Sequence, residues 1–353
     1  MNNDFIIIDS RELSDLKKKS FCGYKKKDVF NILIKSIETN KIENACNWIT
    51  ECILSGYIMD IWEKLIQVSS KIININSPNL PLFLDIKNNY FFNYIKHYDK
   101  NNILELRNDQ IIRNLLFCII TIISLSPKSK RYDNYPKIRV KEINTSYLQK
   151  RLIATSIILP NNFIKFNEPS ELRIFINELY FHLRNQIGGY ENSMFWIQFI
   201  IEWEKKQKKI GSWSIELREI EGVNKKYCSD LIWILWELIL LESQTRNNNV
   251  RIQINSLFNL YKHNYNISKK FQRLPLLYNS IGYLTHIISF KIPVISDLSI
   301  IIQTQCNVNN IFKLKKEYED KKVIQKGKQR IKINVTKEKC LDKLSIFNDL
   351  DNI

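Results

Sequence analysis

Apolar residues recur every three to four positions along most of the chain, which is the spacing of one face of an α-helix. The clearest stretch, residues 44–70, places its apolar positions at i, i+3, i+4, i+7 and i+8: Ala45, Trp48, Ile49, Cys52 and Ile53. Gly56 follows this stripe and is expected to close the helix, because glycine adopts the left-handed cap conformation without steric cost. A second helix is predicted to begin near Asp60.

The same spacing returns in the second half of the chain. Between residues 192 and 201 it is carried by Ser193, Trp196, Ile197, Ile200 and Ile201. The pattern therefore predicts two related multi-helix units, with Trp48 and Trp196 buried in equivalent positions. Chance similarity between two amphipathic helices is the competing interpretation.

An all-α fold is the predicted class. The chain has only 8 Gly and 8 Pro in 353 residues, too few turn residues for a fold made of many short strands. Changes in composition divide the chain into a flexible basic lead (1–23), helical unit one (24–125), a basic connector (126–167), helical unit two (168–312) and a basic tether with an acidic-apolar C-terminal peptide (313–353).

The chain is strongly basic, with a formal net charge of +17. This charge favours anionic partners, first nucleic acid and then an anionic membrane. Lysine and arginine can neutralise phosphates, and tyrosine can stack on unpaired bases. The connector combines these residue types, and its predicted nucleic-acid-binding residues are Lys128, Lys130, Arg131, Tyr132, Tyr135, Lys137, Arg139 and Lys141. Lysine enrichment from AT-rich coding, giving a solvated loop without a ligand, is the competing interpretation.

The sequence contains no arrangement of residues that predicts catalysis. It has no phosphate-binding loop, no nucleophile elbow and no zinc-protease motif. Glu202 and Glu204 are two positions apart, so on a helix they point in different directions and form no catalytic pair. His182 lies between Phe181 and Leu183 and is interpreted as a residue at the edge of the core. No catalytic residue and no cofactor is predicted, and an enzyme with an unfamiliar site is kept as an alternative.

Cysteine usage indicates a reducing compartment. The chain has 7 cysteines, an odd number, and no CxxC pair. None of the 4 histidines neighbours a cysteine pair, so no metal site is predicted.

No membrane span is predicted either. The longest apolar runs, Leu115–Leu125 and Leu231–Leu241, are shorter than the roughly 20 residues that cross a bilayer. They are interpreted as buried helices.

The C-terminal peptide carries an apolar edge between acidic residues. The predicted partner-binding residues are Leu341, Leu344, Ile346, Phe347 and Leu350. A peptide this short is not a stable helix by itself, but it can fold in the groove of a protein partner. Docking of the same peptide on its own helical body is the alternative.

Residues 24–84 resemble the helical collar that follows the ATPase core in clamp-loader subunits and related recombination factors. The residues that carry the resemblance are Tyr24, Lys35-Ser36-Ile37, Glu43-Asn44-Ala45, Trp48, Gly56, Ser69-Ser70 and Pro78. The ATPase core itself does not precede them. The resemblance therefore implies a helical scaffold that oligomerises, with copies of itself among its possible partners, and that has no ATP-driven chemistry.

Residues 23–245 resemble a family of uncharacterised helical proteins of large, mimivirus-like DNA viruses. The matching residues are Gly23-Tyr24-Lys25-Lys26, Ala45-Cys46-Asn47-Trp48, Ser55-Gly56-Tyr57, Pro78-Asn79-Leu80-Pro81 and Asp230-Leu231-Ile232-Trp233-Ile234. This resemblance implies a viral protein in the host cytoplasm, at the viral factory, or in the virion. The expected function is a non-enzymatic scaffold or accessory factor associated with nucleic acid in replication, transcription or clamp-loader-like assembly. A virion structural protein of the minor capsid or core is the alternative.

Overall fold

The computed structural model describes residues 5–98, 100–129, 138, 148–185, 187–211 and 215–328. The all-α prediction is confirmed, because the regular elements of these ranges are helices. Strand-like pairing within them is limited to one isolated antiparallel bridge between Lys19 and Lys25. The α-helices are α1 (Leu13–Leu16), α2 (Lys26–Glu38), α3 (Ile42–Leu54), α4 (Ile58–Val68), α5 (Leu80–Ile95), α6 (Gln110–Leu125), α7 (Ser170–Leu183), α8 (Gly189–Ile210), α9 (Ile232–Ser243), α10 (Asn248–Lys262), α11 (Lys269–Gln272), α12 (Leu274–Thr285) and α13 (Leu298–Lys328).

The chain divides into two compact units. The larger is formed by Ser10–Val308, and the smaller by Met1–Asp9 together with Asn309–Ile353. In the smaller unit, the backbone N–H of Ile8 donates to both carboxylate oxygens of Glu319, at 3.0 and 3.2 Å. Lys316 Nζ lies 2.6 Å from the same carboxylate, so the N-terminal segment and the last helix are held by one acidic side chain.

Helix α3 is the centre of the first group of helices, where it packs against α2 and α6. Its predicted stripe is buried, and Trp48 is 5% exposed. Gly56 ends the helix with a φ of +71°, as the sequence predicts. A Cβ at this position would also lie 2.7 Å from Leu13 and 2.8 Å from Leu104 side-chain atoms, so these leucines would have to move to admit a side chain.

The second group is formed around α7, α8, α9 and α12. Trp196 of α8 is 1% exposed and its ring centroid lies 6.2 Å from that of Phe175 and 5.4 Å from that of Phe199. The apolar run predicted as a buried helix becomes α9, in which Trp233 and Trp236 are fully buried.

The two groups share one core. Helix α5 packs along α10, and a π-helical turn at Ser69–Ile73 packs against α12. The Tyr283 hydroxyl donates to the Pro78 carbonyl at 2.7 Å, and a Cβ on Gly282 would lie 2.9 Å from Ile75 Cγ2. Predicted unit one (24–125) and predicted unit two up to Val308 therefore lie within the single compact unit Ser10–Val308. Their origin by duplication stays a prediction.

One helix start differs from the expected position. Periodicity predicts a continuous helix over 104–125, whereas 3-10 helix covers Lys100–Asn108 and α6 begins at Gln110. The reason is Asp109, whose side chain accepts a hydrogen bond from the backbone N–H of Ile112 at 2.8 Å. This N-cap fixes the first turn of the helix at that residue.

The final helix is longer than the core helix predicted over 298–311, which the sequence follows with a basic tether that is partly helical at its start and then flexible. In the structure α13 continues to Lys328. Lysine and glutamate dominate this extension and both have high helix propensity. Lys316 and Glu319 also pair at the i, i+3 spacing that stabilises a helix.

Of the helices in the described ranges, none combines the length and the apolar character that crossing a bilayer requires.

Candidate nucleic-acid interface

Two lysine triplets meet in one ordered turn near the start of the chain. We define residues 17–27, KKKSFCGYKKK, as the lysine turn; it contains six lysines and no acidic residue. The sequence predicts a flexible lead here, but Lys19 and Lys25 form an antiparallel bridge that brings the triplets together. Directly opposed residues of such a pair project their side chains to the same face. The backbone closes with a 2.7 Å hydrogen bond from Ser20 N–H to the Tyr24 carbonyl, and Gly23 takes a φ of +96°.

A buried carboxylate holds the lysine turn on the helical body. Glu51 of α3 is 1% exposed and its Oε1 accepts hydrogen bonds from the Ser20 hydroxyl at 2.5 Å and the Cys22 N–H at 2.6 Å. On the next turn of the helix, Ser55 Oγ accepts from the Phe21 N–H at 2.8 Å. The turn therefore has a fixed shape set by polar groups that are distant in sequence.

One lysine of the turn is paired with an acidic side chain, and the other five are exposed. Lys26 lies 2.5 Å from Asp60 and its Nζ is 4.7 Å from the centre of the Tyr57 ring. The outward, exposed lysines are Lys17, Lys18, Lys19, Lys25 and Lys27. Five exposed lysines within eleven residues concentrate positive charge at this turn, and such a positive potential attracts phosphates.

Lys128, the first predicted member of the connector site, has a structural role. Its Nζ donates to the carbonyls of Ile123, Ser124 and Ser126 at 2.9, 2.8 and 2.7 Å. These carbonyls lie at the end of α6, where partners within the helix are lacking. Burial lowers the pKa of Lys128 to about 8. All three ammonium donors are thus directed to the protein's own backbone.

The remaining predicted interface residues lie outside the described residues. In the connector these are Lys130, Arg131, Tyr132, Tyr135, Lys137, Arg139 and Lys141. In the C-terminal peptide they are Leu341, Leu344, Ile346, Phe347 and Leu350. Both sites stay predictions.

A buried ionic cluster lies at the end of α8, and no local sequence pattern indicates it. Lys270 is 3% exposed, and its Nζ lies 2.8 Å from Glu204 Oε2 and 2.6 Å from Asp230 Oδ1. Lys208 contributes a second ammonium 2.7 Å from Glu204 Oε1. Burial raises the pKa of a carboxyl, but here the two lysines outweigh it and hold the pKa of Glu204 below its ordinary 4.5. The carboxylates are therefore neutralised as ion pairs, which suits a structural role.

An ion pair between Arg273 and Glu63 connects the two helix groups. Arg273 binds Glu63 in a bidentate manner, with nitrogen-to-oxygen distances of 2.6 and 2.5 Å. A further guanidinium nitrogen donates to the carbonyls of Tyr261 and His263 at 2.6 and 2.7 Å. These contacts direct the arginine to the protein itself, so it clamps α4 to the start of α12.

His182 is 3% exposed, and burial lowers its pKa below the ordinary 6.5. Its Nε2 lies 3.7 Å from Glu178 Oε2, and the Glu178 carboxylate accepts the backbone N–H groups of Ile153 and Ala154 at 3.1 and 2.9 Å. The geometry is that of a core residue beside a loop-binding carboxylate, in line with the interpretation from sequence.

A small cavity beside the π-helical turn is too small for an organic substrate. It has a volume of about 10 Å³ and is lined by nine residues: Ser69, Ser70, Asn74, Leu80, Pro81, Leu84, Leu257, Leu260 and Asn279. This is the size of a single water molecule. Among the described residues, no group of three or more histidine, cysteine, aspartate or glutamate side chains is placed to hold a metal ion.

No family model, curated protein or solved structure matches the chain. Its function is therefore inferred from its own residues.

Proposed function

We propose that the protein is a non-enzymatic helical scaffold that binds nucleic acid by neutralising its phosphates. The observation that carries this proposal is the lysine turn, where five exposed lysines stand on a backbone held by Glu51 and Ser55. Neutralising phosphates releases condensed counterions, which supplies most of the free energy of sequence-independent binding. The connector would add a second basic surface.

The carboxylates of Glu204 and Glu63 support a non-enzymatic role. At Glu204 and Glu63 the acidic oxygens are paired with lysine or arginine. General acid–base catalysis instead requires a titratable group within reach of a bound substrate. An enzyme with an unfamiliar site is kept as the alternative, and a substrate that turns over would establish it.

The direct test is a binding titration by fluorescence anisotropy with a short labelled duplex. One variant replaces Lys17, Lys18, Lys19, Lys25 and Lys27 by glutamine. The matched control replaces five exposed lysines spread over the larger unit: Lys41, Lys150, Lys209, Lys225 and Lys291. Both variants lose the same charge, so a difference between them reports position and not net charge.

We expect the lysine-turn variant to bind at least tenfold more weakly than the control. Its affinity should also depend less on salt, by about 0.9 in the log–log slope for each phosphate that is no longer neutralised. Equal affinities for the two variants would exclude the lysine turn as the site. Binding to anionic lipid vesicles with no binding to nucleic acid would replace the proposal by a membrane-surface role.

The connector is tested separately by reversing the charge of Lys130, Arg131, Lys137 and Arg139. Lys128 is left unchanged because it caps α6. Reversal of Lys205, Lys206, Lys209 and Lys225 is the comparison, and Lys208 is left unchanged because it pairs with Glu204. If affinity is unchanged in the connector variant, the connector does not bind the nucleic acid.

The C-terminal peptide is proposed to recruit a protein partner, with residues 329–339 joining it to α13 and providing reach. Deletion of 340–353 should abolish binding of a partner without changing the melting temperature. A lower melting temperature with every partner retained would mean that the peptide belongs to the fold.

The viral setting is also a proposal and rests on the resemblance described above. An accessory factor would co-purify with replication or transcription proteins from infected cells. High abundance in purified particles would favour the alternative of a virion structural protein.

A further inference from the structure

We infer that the lysine turn takes double-stranded nucleic acid as its partner and contacts its phosphates without stacking on bases. This inference rests on the proposed function and adds to it the class of nucleic acid.

Both aromatic residues of the lysine turn pack against other side chains of the protein. Phe21 is 2% exposed and lies beneath the Arg11 guanidinium, whose carbon is 5.6 Å from the ring centre. Tyr24 packs edge-to-face against Trp48, with a distance of 5.2 Å between ring centres. Proteins that bind single strands rely on exposed aromatic faces on which bases stack. Both aromatic rings of the turn are engaged by the protein.

Other apolar side chains do not replace them. Among the described residues, no large exposed hydrophobic side chain lies between residues 10 and 31; those nearest in sequence are Ile8 and Ile32. The side chains of the lysine turn that are classed as exposed are therefore all lysines. Lysine acts on a phosphate as a point charge and does not need a particular base beside it.

Charge density then favours the duplex. B-DNA carries one charge per about 1.7 Å of its axis, and each neutralised phosphate contributes about 0.9 to the salt slope, against about 0.7 for a single strand. A turn whose backbone is already fixed by Glu51 orders few residues on binding. The regular and rigid array of phosphates in a duplex is therefore the ligand that we expect this preformed surface to bind most tightly.

The test compares the same five-lysine glutamine variant with the wild type on three probes of equal length: a duplex, the corresponding single strand and an abasic single strand. The measured quantity is the ratio of the variant's Kd to the wild-type Kd for each probe. The ratio isolates the contribution of the lysine turn, whatever other surfaces of the full chain touch the probe. Circular dichroism and the melting temperature of both proteins verify that the variant is folded.

We expect the ratio to be larger for the duplex than for either single strand. It should be equal within about twofold for the natural and abasic strands, since bases play no part. The decrease in salt slope should be about 4.5 on the duplex and about 3.5 on single strands if all five lysines contribute.

A larger ratio for the natural strand than for the abasic strand would show that the turn contacts bases, and would overturn the inference. So would a larger ratio for a single strand than for the duplex. Both outcomes leave nucleic-acid binding in place. A ratio of one on every probe would instead refute the lysine turn as the site and with it the proposed function's main support.

Discussion

Trp196 and Trp48 are two of the largest side chains in the helical core, with exposed fractions of 1% and 5%. Replacing either by alanine removes a large apolar surface and leaves a cavity that the rigid neighbours fill only in part. We expect each substitution to lower the free energy of unfolding by about 3–5 kcal/mol in a denaturant titration. Phe166, which is 100% exposed, is the control, and its replacement by alanine should cost almost nothing. Equal effects at Phe166 and Trp196 would contradict this account.

Replacing Glu51 tests whether nucleic-acid binding depends on the fixed shape of the lysine turn or only on net charge. Removing a negative charge near a phosphate-binding surface should strengthen binding by electrostatics alone. Glu51→Ala should weaken it instead, because the Ser20 hydroxyl and the Cys22 N–H lose their acceptor and the lysine turn loses its fixed shape. The exposed acid Asp28 is the control, since Asp28→Asn should strengthen binding slightly. Anisotropy titrations on the short duplex decide between the two directions, and tighter binding by the Glu51 variant would mean that the fixed shape is unimportant.

At the scale of elements, Lys270 joins α8 and α11 to the Asp230 residue that precedes α9. Its removal in Lys270→Met would leave the Glu204 and Asp230 carboxylates buried without their main partner. We expect a decrease of about 3–5 kcal/mol in the free energy of unfolding. Combining Lys270→Met with Glu204→Leu and Asp230→Asn should restore most of it, since no buried charge is then left unpaired. Failure of the triple variant to recover would indicate that packing, not charge, sets the cost.

The same cluster makes the stability of the fold depend on pH, and the direction of this dependence follows from the pKa shifts. The folded-state pKa of Glu204 lies below its ordinary 4.5, and Arg273 likewise outweighs burial to lower the pKa of Glu63. As pH falls below 4.5, the unfolded chain takes up protons that the folded chain does not, so stability falls. Wild-type melting temperatures should therefore decrease as the pH falls from about 5 to about 3. In Lys270→Met the buried Glu204 has lost its main partner, so its share of this decrease should vanish or reverse.

The presence of the helices and the positions of their apolar stripes could be predicted from the periodicity of the sequence. A helix that buries one face carries apolar residues at a regular spacing, and this spacing is visible in a short stretch of chain. The stripe of α3 and the cap at Gly56 are where the pattern places them. The predicted start of α6 was wrong by several residues, because the side chain of Asp109 caps the helix and fixes its first turn there although the apolar pattern begins earlier.

The lysine turn shows what periodicity cannot reveal. A run of lysines around a glycine has the composition of a flexible segment. Its fixed shape comes from Glu51 and Ser55, which are about thirty residues further along the chain. The buried cluster at Lys270 has the same origin, as its partner Glu204 is 66 residues away. Such long-range polar interactions leave no mark in a local pattern.

At the scale of the whole molecule, the packing between the two helix groups predicts that neither folds alone. Helix α5 needs α10, the π-helical turn needs α12, and Glu63 needs Arg273. A fragment of residues 10–129 would expose the apolar face of α5, and a fragment of 148–308 would leave Arg273 buried without its carboxylate. We expect each fragment by itself to lack a cooperative thermal transition by circular dichroism. Mixed or co-expressed, the two should associate one to one and melt cooperatively, because their shared core re-forms without residues 130–147. A cooperative transition in either fragment alone would show instead that the two predicted helical units are independent domains.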